Sequence, residues 1–152
     1  ARLDAALPDA PRGDIAPALR DNGPRWWLVE LADEATVRGL RPDLAAITAL
    51  TGEAAVGLAV FARADAGNGY GLVVRAFCPA DGIPEDPVTG SANAAIGAAL
   101  AEASRLPADG RYVASQGQEV GRDGRVEVQV DADGDVWIGG RVQAVVRGTV
   151  TW

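Results

Sequence analysis

One short stretch of the sequence gathers the groups with which a protein can hold a small acid. It reads Gly-Ile-Pro-Glu-Asp-Pro-Val-Thr-Gly-Ser-Ala over residues 82–92. Asp86 offers a carboxylate that can orient a substrate group or exchange a proton with it. Thr89, Gly90 and Ser91 stand where a helix is expected to begin, and the unpaired N–H groups of a helix start attract a carboxylate or phosphate. The stretch therefore predicts an anion-binding helix start beside an acid.

Ordinary helix capping is a competing interpretation of the same residues. Ser, Thr and Asp before a helix are common caps, and Asp-Pro with Thr-Gly is common in turns. From spacing alone, capping is the favoured interpretation. Glu85 is interpreted as a solvated or arginine-paired loop residue. Cys78 is interpreted as a small buried side chain, because the chain has no His or Lys to lower the pKa of its thiol.

The residue types that are missing exclude several kinds of chemistry. The 152 residues include no His, no Lys and one Cys. Histidine triads, histidine metal sites, Schiff-base lysines and proton transfer between two thiols of one copy are excluded. The net charge of −7, with arginines spread along the chain, argues against nucleic acid and anionic membranes as partners. We expect no metal and no cofactor.

The chain also lacks the features of a membrane or exported protein. No apolar run approaches the roughly 20 residues that cross a bilayer, and no charged start is followed by an apolar stretch. These features predict a cytoplasmic protein. Because the sequence contains no Met, Ala1 is interpreted as a processed or trimmed end, or as the first ordered residue of something longer.

Apolar periodicity and turn residues predict the elements that position this stretch. Residues 1–22 are expected to form an irregular lead-in. Strands are predicted over 26–31, 56–63, 70–77, 111–115, 125–130, 136–138 and 142–150. Helices are predicted after an N-cap at Asp33, over 43–50 with Pro42 in the first turn, and over about 91–103. The last helix has almost no polar face, so the predicted class is α+β, a mostly antiparallel, barrel-like sheet around a central apolar helix.

Several motifs together resemble one known family. They are Arg75-Ala76-Phe77-Cys78-Pro79, the Glu-Asp-Pro-x-Thr-Gly-Ser-Ala core within 82–92, Ser115-Gln116-Gly117 and Gly139-Gly140-Arg141-Val142. Their order and spacing are similar to those of the second, C-terminal lobe of PhzF-like (phenazine biosynthesis) proteins, which have the diaminopimelate-epimerase-like fold. The resemblance covers nearly the whole chain, so residues 1–152 are interpreted as one such lobe, with 1–22 continuing from a first lobe.

The resemblance implies roles for individual residues. The family has two similar lobes, with the active site in the cleft between the starts of their central helices. By resemblance, Asp86 and Ser91 are the catalytic candidates, and Thr89, Gly90, Ser91 and Ala92 bind the substrate and its carboxylate. Ser91 stands where related epimerases carry a catalytic cysteine. The family's principal base is a glutamate of the first lobe, and no segment here resembles the motif that carries it.

Two functions follow from these observations. The first is a PhzF-type isomerase lobe that performs cofactor-independent proton transfer on a small carboxylic acid. It requires a first lobe, in cis or in trans, for the glutamate base, and the chain alone is expected to be inactive. The alternative is a non-catalytic carboxylate-binding or interaction domain that pairs with a second copy of itself as a two-fold homodimer.

Overall fold

One mixed sheet organises the protein. The computed structural model describes residues 2–151, so Ala1 and Trp152 of the predicted lobe lie outside the described part. The strands are β1 (Ala18–Asp21), β2 (Arg25–Glu30), β3 (Gly57–Arg63), β4 (Leu72–Cys78), β5 (Ile83–Asp86), β6 (Arg111–Gln116), β7 (Gly124–Val130) and β8 (Val136–Gly139). The helices are α1 (Arg2–Ala6), α2 (Glu34–Gly39), α3 (Leu44–Thr51) and α4 (Gly90–Glu102), with short 3-10 turns at Pro79–Asp81 and Gln118–Val120.

The strand order is β1-β2-β3-β4-β6-β7-β8, with β5 attached to β4. The β2–β3 and β4–β6 pairs are parallel and the remaining pairs are antiparallel. The result is a half-barrel, which agrees with the predicted α+β class. Within residues 2–151, no helix has the length and apolar character needed to cross a membrane.

Helices cover both faces of the sheet. The central strands are apolar on both faces, and their successive side chains point to opposite faces. On β4, Val74 and Ala76 join the apolar cluster that contains α4, whereas Val73 and Phe77 join the cluster formed with α1, α2 and α3. All seven residues of β4 are buried. A strand buried on both faces provides a rigid base for whatever is attached to its edge.

Both short helices have an aspartate N-cap, and the one predicted at Asp33 is confirmed. The Asp33 side chain accepts a hydrogen bond from the Thr36 N–H at 2.7 Å, and Asp43 accepts one from the Ala46 N–H at 2.9 Å. Since Asp43 is itself the cap, Pro42 lies before the helix, and its predicted place in the first turn is wrong.

Helix α4 begins and ends within one residue of its prediction. It packs against β2, β7 and β8 on one face of the sheet. Enclosure of a central apolar helix by strands is not confirmed. The sheet does not close on itself, since its end strands β1 and β8 do not pair, and one side of α4, at Ser91, Ala94 and Ala98, is half-exposed. The helix also buries one amide side chain, Asn93.

Three predictions about element positions are wrong. The lead-in contains α1 and β1, since Leu7 and Ala6 are buried against the sheet. The loop before α4 contains β5, a short strand that pairs with β4 at only two positions on either side of an irregularity. The strand predicted over 142–150 is not formed, because no described strand lies beside it and Val142 is 94% exposed.

Candidate functional site

Strand β4 brings together two residues of the candidate site, Asp86 and Gln116, which lie on different strands. Its first half pairs with β6 and its second half with β5, so both strands lie along the same edge. Val74 is opposite Gln116, the last residue of β6, and Ala76 is opposite Asp86, the last residue of β5. Because Val74 and Ala76 are two residues apart, Asp86 and Gln116 are neighbours although they are 30 positions apart in the sequence.

Asp86 is held by one of its two carboxylate oxygens. The Thr89 hydroxyl donates to Oδ2 at 2.5 Å. The other oxygen, Oδ1, has no hydrogen-bond partner among residues 2–151. The Asp86 side chain is half-buried, so this second oxygen can face a ligand while the first keeps the carboxylate oriented.

The start of α4 has no side-chain cap. Thr89 is the N-cap residue, but its side chain makes no bond to the helix, and the first helical bond runs from the Asn93 N–H to the Thr89 carbonyl at 3.2 Å. The N–H groups of Gly90, Ser91 and Ala92 therefore have no partner within the described part of the chain. The capping interpretation is wrong for this helix, whose three open amides present partial positive charge.

Ser91 is fixed from the N-terminal side of the chain. The Trp26 indole N–H donates to the Ser91 hydroxyl at 3.0 Å, and the Asn22 side-chain amide donates to the Ser91 carbonyl at 2.9 Å. Since an indole only donates, the hydroxyl acts as acceptor and keeps its own hydrogen for a further bond. The sequence did not predict either support of Ser91, because Trp26 and Asn22 are 65 and 69 positions away from it.

Gln116 joins all parts of this loop. Its Nε2 donates to the Asp86 carbonyl at 2.9 Å and to the Thr89 hydroxyl at 2.8 Å. Its Oε1 accepts from the Thr89 N–H at 3.1 Å and from the Asn93 side-chain amide at 2.9 Å. The motif Ser-Gln-Gly was noted in the sequence, but its position at a strand end gave no signal of these bonds.

Two other predictions from the sequence are confirmed nearby. Burial raises the pKa of the Cys78 thiol to about 11, with the negative charges of Asp86 and Asp81 adding to it, so the thiol is protonated at neutral pH. Glu85 is paired with Arg75 through two hydrogen bonds of 2.9 and 2.8 Å. Neither side chain is a base available to a ligand.

The geometry gathers some predicted site residues more directly than others. Asp86 and Thr89 share a hydrogen bond, and Gly90 is exposed at the helix start. Ala92 is 0% exposed as a whole residue, backbone included, so its predicted ligand contact stays a prediction. Thr89 is 7% exposed, and its N–H and hydroxyl are both engaged within the protein, so its predicted ligand contact stays a prediction.

The half-barrel sheet and its helices define an α+β protein with an epimerase-like fold. Comparison with solved structures supports this class. A predicted epimerase from Pseudomonas aeruginosa superposes with a TM-score of 0.70 at 25% identity, over 97% of this chain and 50% of that one. A PhzF-family phenazine biosynthesis protein from Enterococcus faecalis superposes with a TM-score of 0.62 at 26% identity, over 91% and 49%.

Sequence comparison identifies the family. The sequence model of the PhzC-PhzF family, described as phenazine biosynthesis-like protein, matches residues 1–148. An uncharacterized isomerase of Deinococcus radiodurans is 41% identical over 121 residues, which are 78% of this chain and 37% of that protein. The uncharacterized isomerase YddE of Escherichia coli K12 is 40% identical over 68% of this chain and 35% of its own length. The chain belongs to the PhzC-PhzF, phenazine biosynthesis-like family.

Proposed function

We propose that this chain forms one lobe of an isomerase that moves a proton on a small carboxylic acid without a cofactor. One observation carries the proposal: Asp86, whose Oδ1 has no partner, lies four residues before Gly90 at the start of α4, where the N–H groups of Gly90, Ser91 and Ala92 have no partner in the described part of the chain. The amides would bind the carboxylate of the substrate acid. Asp86 would exchange a proton with a carbon atom of that acid. The names of the relatives, uncharacterized isomerases and a predicted epimerase, support the same reaction class.

The charge distribution suits such a reaction. Removing a proton from carbon next to a carboxylate places additional negative charge on the carboxylate oxygens. N–H groups and a helix start stabilise that charge more as it develops, which lowers the barrier. The Ser91 hydroxyl, which keeps a hydrogen to donate, would add a third kind of donor. In this proposal Asp86 delivers or accepts the proton, and the start of α4 stabilises the anion.

Proton transfer between two positions requires a second acid or base. By resemblance, this group is a glutamate of a first lobe, which would close over the start of α4. The chain spans about half the length of the solved structures it matches, which supports the need for a further lobe. That lobe would act in cis or in trans.

Carboxylate binding can be tested directly with acetate as the probe. We expect the NMR signals of the Gly90, Ser91 and Ala92 amides to shift during an acetate titration. Ser91→Ala should weaken acetate binding about fivefold through loss of one hydrogen bond. Ser104→Ala, beyond the other end of α4, is the matched control and should bind as the wild type does. A wild-type protein whose α4 amides ignore acetate would refute the carboxylate site.

Catalysis is tested by deuterium incorporation. The chain is incubated together with its first lobe, in cis or in trans, in D₂O with alanine, glutamate, lactate or malate. Deuterium exchange at carbon is measured by mass spectrometry. Asp86→Asn should lower the exchange rate at least about 100-fold, the usual contribution of a proton-transfer group. Asp109→Asn, an exposed site, is the control. An equal rate for Asp86→Asn and the wild type would exclude Asp86 from proton transfer.

The homodimer remains a second proposal. A chain that carries one open helix start can pair with a copy of itself about a two-fold axis, so that two such starts face one cleft. Such a dimer would bind carboxylates through two copies of Asp86 without a glutamate base. Light scattering decides it, since a mass near 15.6 kDa at all concentrations means a monomer and excludes the arrangement.

A further inference from the structure

The orientation of the Gln116 amide is fixed by backbone groups. The Asp86 carbonyl can only accept a hydrogen bond and the Thr89 N–H can only donate one. The nitrogen of Gln116 must therefore face Asp86, and its oxygen must face the Thr89 N–H. The side chain is 0% exposed, so water does not compete for any of these bonds.

This orientation determines what the Thr89 hydroxyl does. Because Nε2 of Gln116 donates to the hydroxyl oxygen, the hydroxyl hydrogen is left for the Oδ2 atom of Asp86. The three side chains form one directed chain of hydrogen bonds from Gln116 through Thr89 to Asp86. Thr89 is thereby locked away from the helix that it precedes.

Without this lock, Thr89 is placed to cap α4. Threonine is a common N-cap residue, and its φ of −122° and ψ of 99° are in the extended region that such residues use. The N-cap residues Asp33 and Asp43 each accept a bond from an N–H three residues ahead. A released Thr89 hydroxyl would reach the amides of Ser91 or Ala92 in the same way.

We propose that Gln116 is a positioning residue of the candidate site, which holds the Thr89 hydroxyl on Asp86 and so keeps the amides at the start of α4 open for a ligand's carboxylate. The inference rests on the proposed function, in which those amides bind a carboxylate. It deepens that function by assigning a role to the Ser-Gln-Gly motif. When Gln116 is lost, the Thr89 hydroxyl competes with the ligand for the same N–H groups.

The test is a pair of substitutions, with acetate as the probe. Acetate binding is measured from the NMR signals of the Gly90, Ser91 and Ala92 amides. Gln116→Met should weaken acetate binding about fivefold, the usual worth of an N-cap. Adding Thr89→Val removes the competing hydroxyl and should restore binding to within about twofold of wild type. A merely structural role for Gln116 predicts the opposite, since the double variant would then bind no better than Gln116→Met. That result would overturn the proposal.

Hydrogen exchange provides a readout that does not depend on the ligand. In Gln116→Met, the Ser91 and Ala92 amides should exchange more slowly because the Thr89 hydroxyl caps them, and the addition of Thr89→Val should remove this protection. Unchanged exchange in Gln116→Met would overturn the role of Gln116 even if acetate binds. Conversely, wild-type amides that ignore acetate would refute the carboxylate site, while the exchange rates would still decide the role of Gln116.

Single variants of Thr89 keep the proposal falsifiable if position 116 tolerates no change. Thr89→Ser retains the hydroxyl and Thr89→Val loses it, while Gln116 stays in place. In both variants, hydrogen exchange at the Ser91 and Ala92 amides should stay as in the wild type, because neither variant releases a hydroxyl that could cap these amides. Slower exchange at these amides in Thr89→Ser, with Gln116 in place, would show that Gln116 does not hold the hydroxyl on Asp86, and would overturn the proposal.

Discussion

At the scale of single residues, the most strongly perturbed carboxylate lies away from the candidate site. Glu34 is 7% exposed. Burial alone would raise the pKa of Glu34, but hydrogen bonds from the Asp65 N–H, Arg38, Tyr70 and Asn68 outweigh it and lower the pKa to about 2. The group ties α2 to the turn between β3 and β4. It is therefore a structural anchor that depends on its charge.

The lowered pKa of Glu34 gives a prediction about pH and stability. A carboxyl whose pKa falls from 4.5 to about 2 on folding adds stability above pH 4.5, and this stability is lost as the pH falls toward 2. Glu34→Gln should therefore lower the free energy of unfolding by about 3 kcal/mol at pH 7. Between pH 4.5 and about 2, the free energy of unfolding of the variant should depend less on pH than that of the wild type. Urea denaturation across this range measures both effects.

The exposed Glu53 provides the control for this experiment. Glu53→Gln should change the free energy of unfolding by less than about 0.5 kcal/mol. If Glu34→Gln kept the full pH dependence of the wild type, another group would be responsible for it.

The buried ion pair between Arg75 and Glu85 gives a second prediction at the residue scale. Glu85 belongs to the stretch of residues 82–92 that contains Asp86, called the candidate loop below. The Arg75 and Glu85 side chains are 6% and 8% exposed, and Arg75 also donates to the Leu40 carbonyl at 2.7 Å. Removing one partner leaves a buried charge, so Glu85→Gln should cost about 3 kcal/mol. Thermal denaturation checks this, with Glu53→Gln again as control. A loss below about 0.5 kcal/mol would mean that solvent reaches Arg75.

Residue types alone predicted part of the candidate site. The sequence singled out Asp86, Gly90 and Ser91, because a carboxylate and small residues before an apolar helix have a recognisable local pattern. It did not predict Gln116 or Trp26 as supports, since each meets the loop only through sheet pairing or packing across more than twenty residues. Their roles depend on register, which no local pattern contains.

At the scale of elements, the junction after β6 holds the candidate loop in place. Gly117 has a φ of +93°, and a Cβ atom there would lie 2.4 Å from the Pro87 carbonyl oxygen. Gly117→Ala should therefore combine backbone strain with a backbone clash and cost at least about 2 kcal/mol. It should also displace the Asp86 loop, visible as changed NMR shifts at Gly90.

Gly134 is the matched control for this substitution. Its φ is +88°, but nothing lies within 4 Å of the place that a Cβ atom would take, so Gly134→Ala adds strain without a clash. It should cost about 1 kcal/mol and leave the Gly90 signal unchanged. Equal losses for the two substitutions would mean that the contact with Pro87 is unimportant.

Element prediction succeeded where packing and local pattern agree. The strongly apolar β3 and β4 and the capped α3 were predicted within a residue or two. The strand at 142–150 was wrong because an alternating pattern forms a strand only when a neighbour supplies hydrogen bonds. For β5 the reverse holds, since pairing with β4 makes a strand of a proline-containing segment whose pattern predicts a loop.

At the scale of the whole molecule, the segment 140–151 is the least integrated described part. Val142, Val146 and Val150 are 94%, 86% and 73% exposed. Replacing all three with Thr should change the free energy of unfolding by less than about 1 kcal/mol. It should also reduce concentration-dependent association, because an exposed apolar strand can pair with other chains. Thermal denaturation and light scattering measure the two effects.

Val126 is the control for the valine replacements. It is 2% exposed in the cluster under α4, so Val126→Thr buries a hydroxyl and should cost at least about 1 kcal/mol. If the three tail replacements destabilised the protein as much as Val126→Thr, the segment would have to be packed in solution.

The division of the β4 edge between β5 and β6 also has a consequence for folding kinetics. The candidate site exists only after β6 has crossed over α4 and docked parallel to β4, a pairing between residues about 40 positions apart. A chain that has formed only local hairpins and helices contains Asp86 and Thr89 but lacks the Gln116 that joins them. Carboxylate binding should therefore favour the native state alone and slow unfolding, so acetate would act as a sensor of completed folding.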